Sequence, residues 1–266
     1  MDVDGLGRQF ARMGARVRVQ IAPPRRNEGD VALDIVRDRQ GERFEMRVAP
    51  QDPPDVQVLH CEPRVRHLLL MTRDSADQKH KFLCGHDERH WFVAAIPENR
   101  SVSTVQTAME ALKPARIQRR QANLGVPTKL RQRRRNPAFV RQGEWFFVPV
   151  ESVKVPEWLI LRDEPLRRGG GKPHRVEFLY RTGGRRVYVC RQFPNGLTEA
   201  GYREQLLEQP ASRQWNWQSL VRDPEVYVRG RVRHADHATI ELPGWHRVLM
   251  NTEAESVAMR HVAFLD

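Results

Sequence analysis

The sequence predicts an α+β protein, built mostly of antiparallel strands and hairpins with two or three helices. Three observations carry that class. Short runs of alternating polar and apolar residues recur along the chain, as in residues 16–22 (RVRVQIA). Turn-forming residues separate several such runs in pairs. Helical spacing with end signals appears in only a few places.

In chain order, residues 5–14 form a short helix with Phe10 and Met13 three apart, ahead of the 16–22 strand. Pro23 and Pro24, followed by Arg25, Arg26 and Asn27, break the alternation and mark a loop. Residues 31–36 and 44–48 flank Arg39, Gln40, Gly41 and Glu42, which makes a hairpin with Gly41 at its turn. Residues 56–59 and 67–72 are two further strands. Residues 82–84 and 90–96 flank a tight polar loop of Gly85, His86, Asp87 and Glu88. Ser103 caps a helix in which Val105, Ala108 and Leu112 fall near helical spacing, and Lys113 and Pro114 end it. Pro114 opens a second short helix that Gly125 closes, so that Arg116, Arg119 and Arg120 share one face. Residues 127–137 hold the densest charge, KLRQRRRNP, between prolines, and read as a loop that orders on binding.

Residues 144–150 (EWFFVPV) return to strand character, and residues 159–161 add another strand. The stretch 167–173 (RRGGGKP) is a flexible connection and the candidate boundary between two domains. The first, residues 1–166, is an α+β domain carrying a basic helix–loop segment at 111–143. The second, residues 174–266, is smaller and also α+β. Within it, residues 176–180 and 186–190 flank Thr182, Gly183 and Gly184 as a second hairpin. Residues 198–208 form a helix with Thr198 as N-cap and Tyr202 and Leu206 on one face. Residues 226–232, 238–242 and 246–250 make a three-stranded meander. No internal repeat stands out.

Composition narrows the functional classes. A hydrophobic fraction of 39%, with aromatic and β-branched residues throughout, is too high for disorder. No apolar run approaches the roughly 20 residues of a membrane span. The opening MDVDG lacks the apolar segment of a secretory signal. Cys61, Cys84 and Cys190 are three scattered thiols without a paired framework, which fits a reducing cytoplasm.

Charge is the most informative property. The chain has 45 Lys+Arg against 33 Asp+Glu, a formal net charge of +12. Ten of those cations, and no acidic residue, lie between Ala111 and Gly143: Lys113, Arg116, Arg119, Arg120, Lys129, Arg131, Arg133, Arg134, Arg135 and Arg141. Without them, 35 basic residues face 33 acidic ones. So focused a positive patch points to a polyanion, nucleic acid above all. Arginine predominates, adding bidentate phosphate geometry and stacking. Phe139, Trp145, Phe146 and Phe147 follow closely, and rings beside a basic groove favour RNA or single strands over duplex DNA.

Three other groups bear chemistry. If residues 82–84 pair with 90–96, Cys84 and His90 face one another across the loop carrying His86, a donor set that zinc prefers. His234, Asp236, His237 and His246 offer a divalent-ion or acid–base set, because residues two apart on a strand share a face. Trp215 and Trp217 are core residues or, if exposed, a stacking surface. The glycines at 169–171 lack P-loop spacing, and no hydrolase, kinase or metalloprotease signature is present. The sequence therefore points to a non-catalytic nucleic-acid-binding protein, alone or in a ribonucleoprotein complex. Its phosphate contacts would be Arg116, Arg119, Arg120, Lys129, Arg131, Arg133, Arg134, Arg135 and Arg141, with Trp145 as a stacking residue. No catalytic residue, metal or cofactor is assigned. Two alternatives stay open: a metal-dependent nuclease or hydrolase using Cys84, His86 and His90 or His234, Asp236 and His237, and a scaffold for an acidic protein partner.

Overall fold

The computed structural model describes residues 2–22, 31–50, 55–73, 77–168 and 172–255. The loop expected at 23–27 lies outside these residues. The chain forms two compact units: residues up to 145 together with 250–255, and residues 146–249. Each is α+β with mostly antiparallel sheets, as the alternation predicts.

In the first unit, α1 (Val3–Arg12) is capped by Asp2, whose carboxylate accepts the Gly5 amide at 2.8 Å. The helix buries Leu6 and Phe10. Strands β1 (Val17–Ile21), β2 (Val31–Asp38) and β3 (Gly41–Val48) form a sheet in the order β1-β3-β2. β2 and β3 are the expected hairpin, with Gly41 at a φ of +102°. β1 runs parallel to β3.

A second sheet holds β4 (Asp55–Glu62), β5 (His67–Arg73), β6 (Lys79–Asp87) and β7 (His90–Ile96) in sequence order. Six consecutive residues of β5, 67 to 72, are buried, because both faces of this sheet are covered. Leu68, Leu70 and Cys84 pack with Phe10, Phe44 and Met46 on one side. Leu69, Leu83, Ala94 and Ile96 pack on the other against Val105, Ala108 and Leu112, from α2 (Val105–Ala111) and its end. Thr104, not Ser103, caps α2. It forms a reciprocal box with Thr107, which a hydroxyl at the third helical position makes possible. Then follow α3 (Ala115–Asn123), the single-turn α4 (Thr128–Arg131), β8 (Arg135–Asn136) and β9 (Phe139–Gln142). The chain returns to this unit near its end, where the buried Thr252 hydroxyl donates to the Ala111 carbonyl at 2.7 Å and its amide to the Leu112 carbonyl at 3.1 Å.

The second unit contains β10 (Trp145–Pro149), β11 (Leu161–Leu166), β12 (His174–Thr182), β13 (Arg185–Val189), β14 (Leu197–Thr198), α5 (Glu199–Glu208), β15 (Gln218–Arg222), β16 (Glu225–Arg233) and β17 (Ile240–Met250). Thr198 caps α5 as expected, accepting the Gly201 amide. Five of these strands are neighbours in one sheet, in the order β11-β12-β16-β17-β10, while β14-β13-β15 make another.

Three local expectations give way here. β12 and β13 are not a hairpin: β12 pairs with β11 and β16, and β13 with β14 and β15. Gly183 and Gly184, at φ of +68° and +91°, pass the chain from one sheet to the other. The meander has two strands, since β17 continues through Pro243 and Gly244 at a register shift opposite Arg229. A bulge tolerates the missing proline amide. Finally, residue 159 ends a 3-10 turn (Glu157–Leu159), and the strand starts at Leu161. The described residues hold five α-helices rather than two or three, and none is long and apolar enough to cross a membrane.

Candidate nucleic-acid interface

The basic segment is folded along its length, including the 127–137 stretch expected to await a partner. Lys113, only 3% exposed, organises it. Its ammonium donates to Glu110 at 2.8 Å, Gln121 at 3.2 Å and the Arg131 carbonyl at 2.8 Å, tying α2, α3 and α4 together. Burial lowers its pKa from the ordinary lysine value, against the pull of Glu110. Gln121 also donates to the Arg131 carbonyl at 2.9 Å, and the Arg131 guanidinium to the Val126 carbonyl at 3.0 Å. These bonds hold the stretch against α2 and α3.

Pro114 starts α3, and Gly125, at a φ of +58°, lies just past its end, both as the sequence indicates. Ile117 and Gln121 face inward, one turn apart. Arg116 and Arg119 are therefore exposed, whereas Arg120, beside Gln121, is half-buried. Lys129, Arg133 and Arg135 are exposed as well.

The remaining cations are spent inside the fold. Arg134 forms ion pairs with Asp87 and Glu88, and Arg141 lies 3.6 Å from Asp87. Two acidic residues at the β6–β7 turn thus compensate charge that looks unopposed along the sequence. Trp145 is 4% exposed, and Phe139, Phe146 and Phe147 are buried too. These rings are not presented for stacking on a base, because β10 is buried on both faces from Trp145 to Val148 and Phe139 is buried too. The chain matches no known family model, no curated protein and no solved structure. The geometry of the chain itself must carry the functional reading.

The Cys84, His86 and His90 set does not converge. β6 and β7 pair with Asp87 opposite His90, so a two-residue turn at Glu88 and Arg89 replaces the longer loop, with Glu88 at a φ of +49°. Cys84 lies opposite Val93, fully buried, and burial pushes its thiol far above the ordinary range. The His86 ring meets the Trp91 indole edge-on at 4.9 Å, and His90 binds Glu42 at 2.5 Å. Gly85 is required where it stands, since a Cβ there would come within 2.7 Å of the Phe92 ring and 2.8 Å of His67.

The other histidine group is partly assembled, with a changed membership. His246 is buried and its Nδ1 bonds the Gly244 carbonyl at 2.7 Å, within the sheet. Asp236 accepts from the Lys172 ammonium at 2.8 and 3.0 Å. His234 and His237 do come together, and the third ring is His174. Residues 169–171, the centre of the glycine-rich stretch, lie outside the described residues. Trp215 and Trp217, 5.9 Å apart, belong to a half-buried aromatic group with Phe193 and Tyr202.

Proposed function

We propose that this protein binds nucleic acid through the basic surface of α3, α4 and the turn that follows α4, using Arg116, Arg119, Lys129 and Arg133 to neutralise phosphates. The supporting observation is that these four side chains stay exposed on a folded segment without an acidic residue, while Lys113, Arg134 and Arg141 are taken up internally. A rigid array of exposed guanidinium and ammonium groups contacts backbone phosphates irrespective of sequence. The burial of Trp145 and its neighbours removes the stacking argument for single strands, so the reading rests on phosphate contacts. Cys61, Cys84 and Cys190 are free thiols, in keeping with a cytoplasmic setting.

The test is binding of labelled single-stranded RNA and duplex DNA across a salt series. Four contacts, each lost to glutamine, should flatten the log–log salt slope by about three units. The quadruple variant is R116Q/R119Q/K129Q/R133Q. Arg134→Gln should leave the slope within about half a unit, because Asp87 and Glu88 already hold that charge. An unchanged slope in the quadruple variant would overturn the assignment. So would wild-type binding to an acidic polypeptide but to neither nucleic acid.

A further inference from the structure

His174, His234 and His237 lie on elements that the sequence separates by about sixty residues but the sheet brings together. Arg175 pairs with Arg233 across β12 and β16, which places His174 beside His234 just beyond the end of β16. The turn at Ala235 and Asp236 then returns His237 to the same place. Ring centroids are 4.1 Å apart for His174 and His234, 4.8 Å for His234 and His237, and 5.6 Å for His174 and His237. One nitrogen from each ring can be chosen so that all three lie within 4.8 Å of one another.

From this geometry we infer that His174, His234 and His237 form a three-histidine site for a divalent transition metal, zinc by ligand type. Imidazole nitrogen is a preferred donor for zinc, and three neutral histidines leave a tetrahedral position for water or an anionic ligand. A tetrahedral shell at about 2.0–2.1 Å sets its nitrogens about 3.4 Å apart. The His174 and His234 rings are stacked, with planes 23° apart, so a shared ion needs His234 and His237, both only half-buried, to swing out of the stack around His174, which is 1% exposed, until their lone pairs meet at one point.

The surroundings select the ligand state. His234 Nε2–H donates to the Lys172 carbonyl at 3.2 Å, which leaves the lone pair on Nδ1. That lone pair now accepts the Asp236 amide at 3.1 Å, a single bond that a metal would replace. A backbone carbonyl on the far nitrogen is the usual second partner of a metal-bound histidine. Asp236, close enough to act electrostatically on His174, is paired with the Lys172 ammonium.

The test uses the full chain, stripped with a chelator and titrated with zinc by calorimetry and with cobalt by visible absorption. One equivalent should bind at micromolar affinity or tighter, with cobalt bands typical of a four- or five-coordinate nitrogen site. H234Q and H237Q should each weaken binding at least about tenfold. His80→Gln, in the other unit, should have no effect. Circular dichroism establishes that the variants fold; should H174Q fail to fold, H234Q and H237Q decide. Absence of stoichiometric binding, or undiminished binding in the H234Q/H237Q double variant, would overturn the site. These residues are separate from the basic face, so loss of the metal with an unchanged salt slope leaves the nucleic-acid proposal standing, and the converse also holds.

Discussion

Replacing Gly184 and Gly183 by alanine, one at a time, should have unequal effects, and the structure sets the difference. Both residues have positive φ, which costs an L-residue about 1–2 kcal/mol. At Gly183 an added Cβ meets nothing within 4 Å. At Gly184 it would lie 2.6 Å from a Val221 methyl, 2.9 Å from the Arg222 carbonyl oxygen and 3.2 Å from the Pro224 Cα. A methyl can rotate away, but two of these three atoms are backbone and move only with β15 and the turn after it. Overpacking of this kind adds about 1–3 kcal/mol. Gly183→Ala should therefore cost about 1–2 kcal/mol, and Gly184→Ala about 2–5 kcal/mol. Urea unfolding followed by both circular dichroism and tryptophan emission measures each loss, with coincident transitions as the check on two-state behaviour. Equal losses, or a larger one at Gly183, would refute the idea that the approach of residues 221–224 makes Gly184 obligatory.

Phe44, fully buried with edge contacts to Phe10 at 5.0 Å and Trp91 at 5.4 Å, should lose about 3–5 kcal/mol on Phe44→Ala, read from the urea midpoint. Asp38 is held below the usual carboxylate range by hydrogen bonds from Arg16, the Gln40 amide and Arg43. Its folded pKa is depressed, so its stabilisation is present above about pH 4 and is lost as pH falls further. Asp38→Asn should thus differ from wild type more at neutral pH than at about pH 2.5, by the same midpoint assay. Cys84, with its thiol pushed up by burial, should react with a thiol reagent only on unfolding, whereas half-buried Cys61 reacts in the native state. Thr252→Val removes the hydroxyl bond to the Ala111 carbonyl and should cost about 1–2 kcal/mol in thermal or urea unfolding.

What the sequence revealed was local. Gly41 at a hairpin turn, Thr198 as a cap, and Pro114 and Gly125 bounding α3 all follow from backbone preferences of single residues. The outward placing of Arg116 and Arg119 follows from helical period, while Arg120, expected on the same face, is half-buried beside the inward Gln121. What it concealed was pairing. Thr182, Gly183 and Gly184 look the same whether the flanking strands meet or part, and only the whole set of strand partners sends β12 and β13 to different sheets. Asp87 and Glu88 stand nearly fifty residues before Arg134, so local charge counting could not show that they neutralise it. His174 reaches the other two histidines through the register of β12 on β16, and no spacing rule encodes that.

The return of Thr252 to the end of α2 bears on the order in which the molecule assembles. The first unit is interrupted by residues 146–249, so the bond from Thr252 to Ala111 closes a loop with a sequence separation of 141 residues, whose entropic cost grows with the logarithm of its length. If the strands of 146–249 form first, the span left to close is far shorter. Pulsed hydrogen exchange during refolding should then show the Thr252 amide protected after those of β12 and β16, and earlier protection would count against it. On that order, the unit that begins the chain is the one completed last.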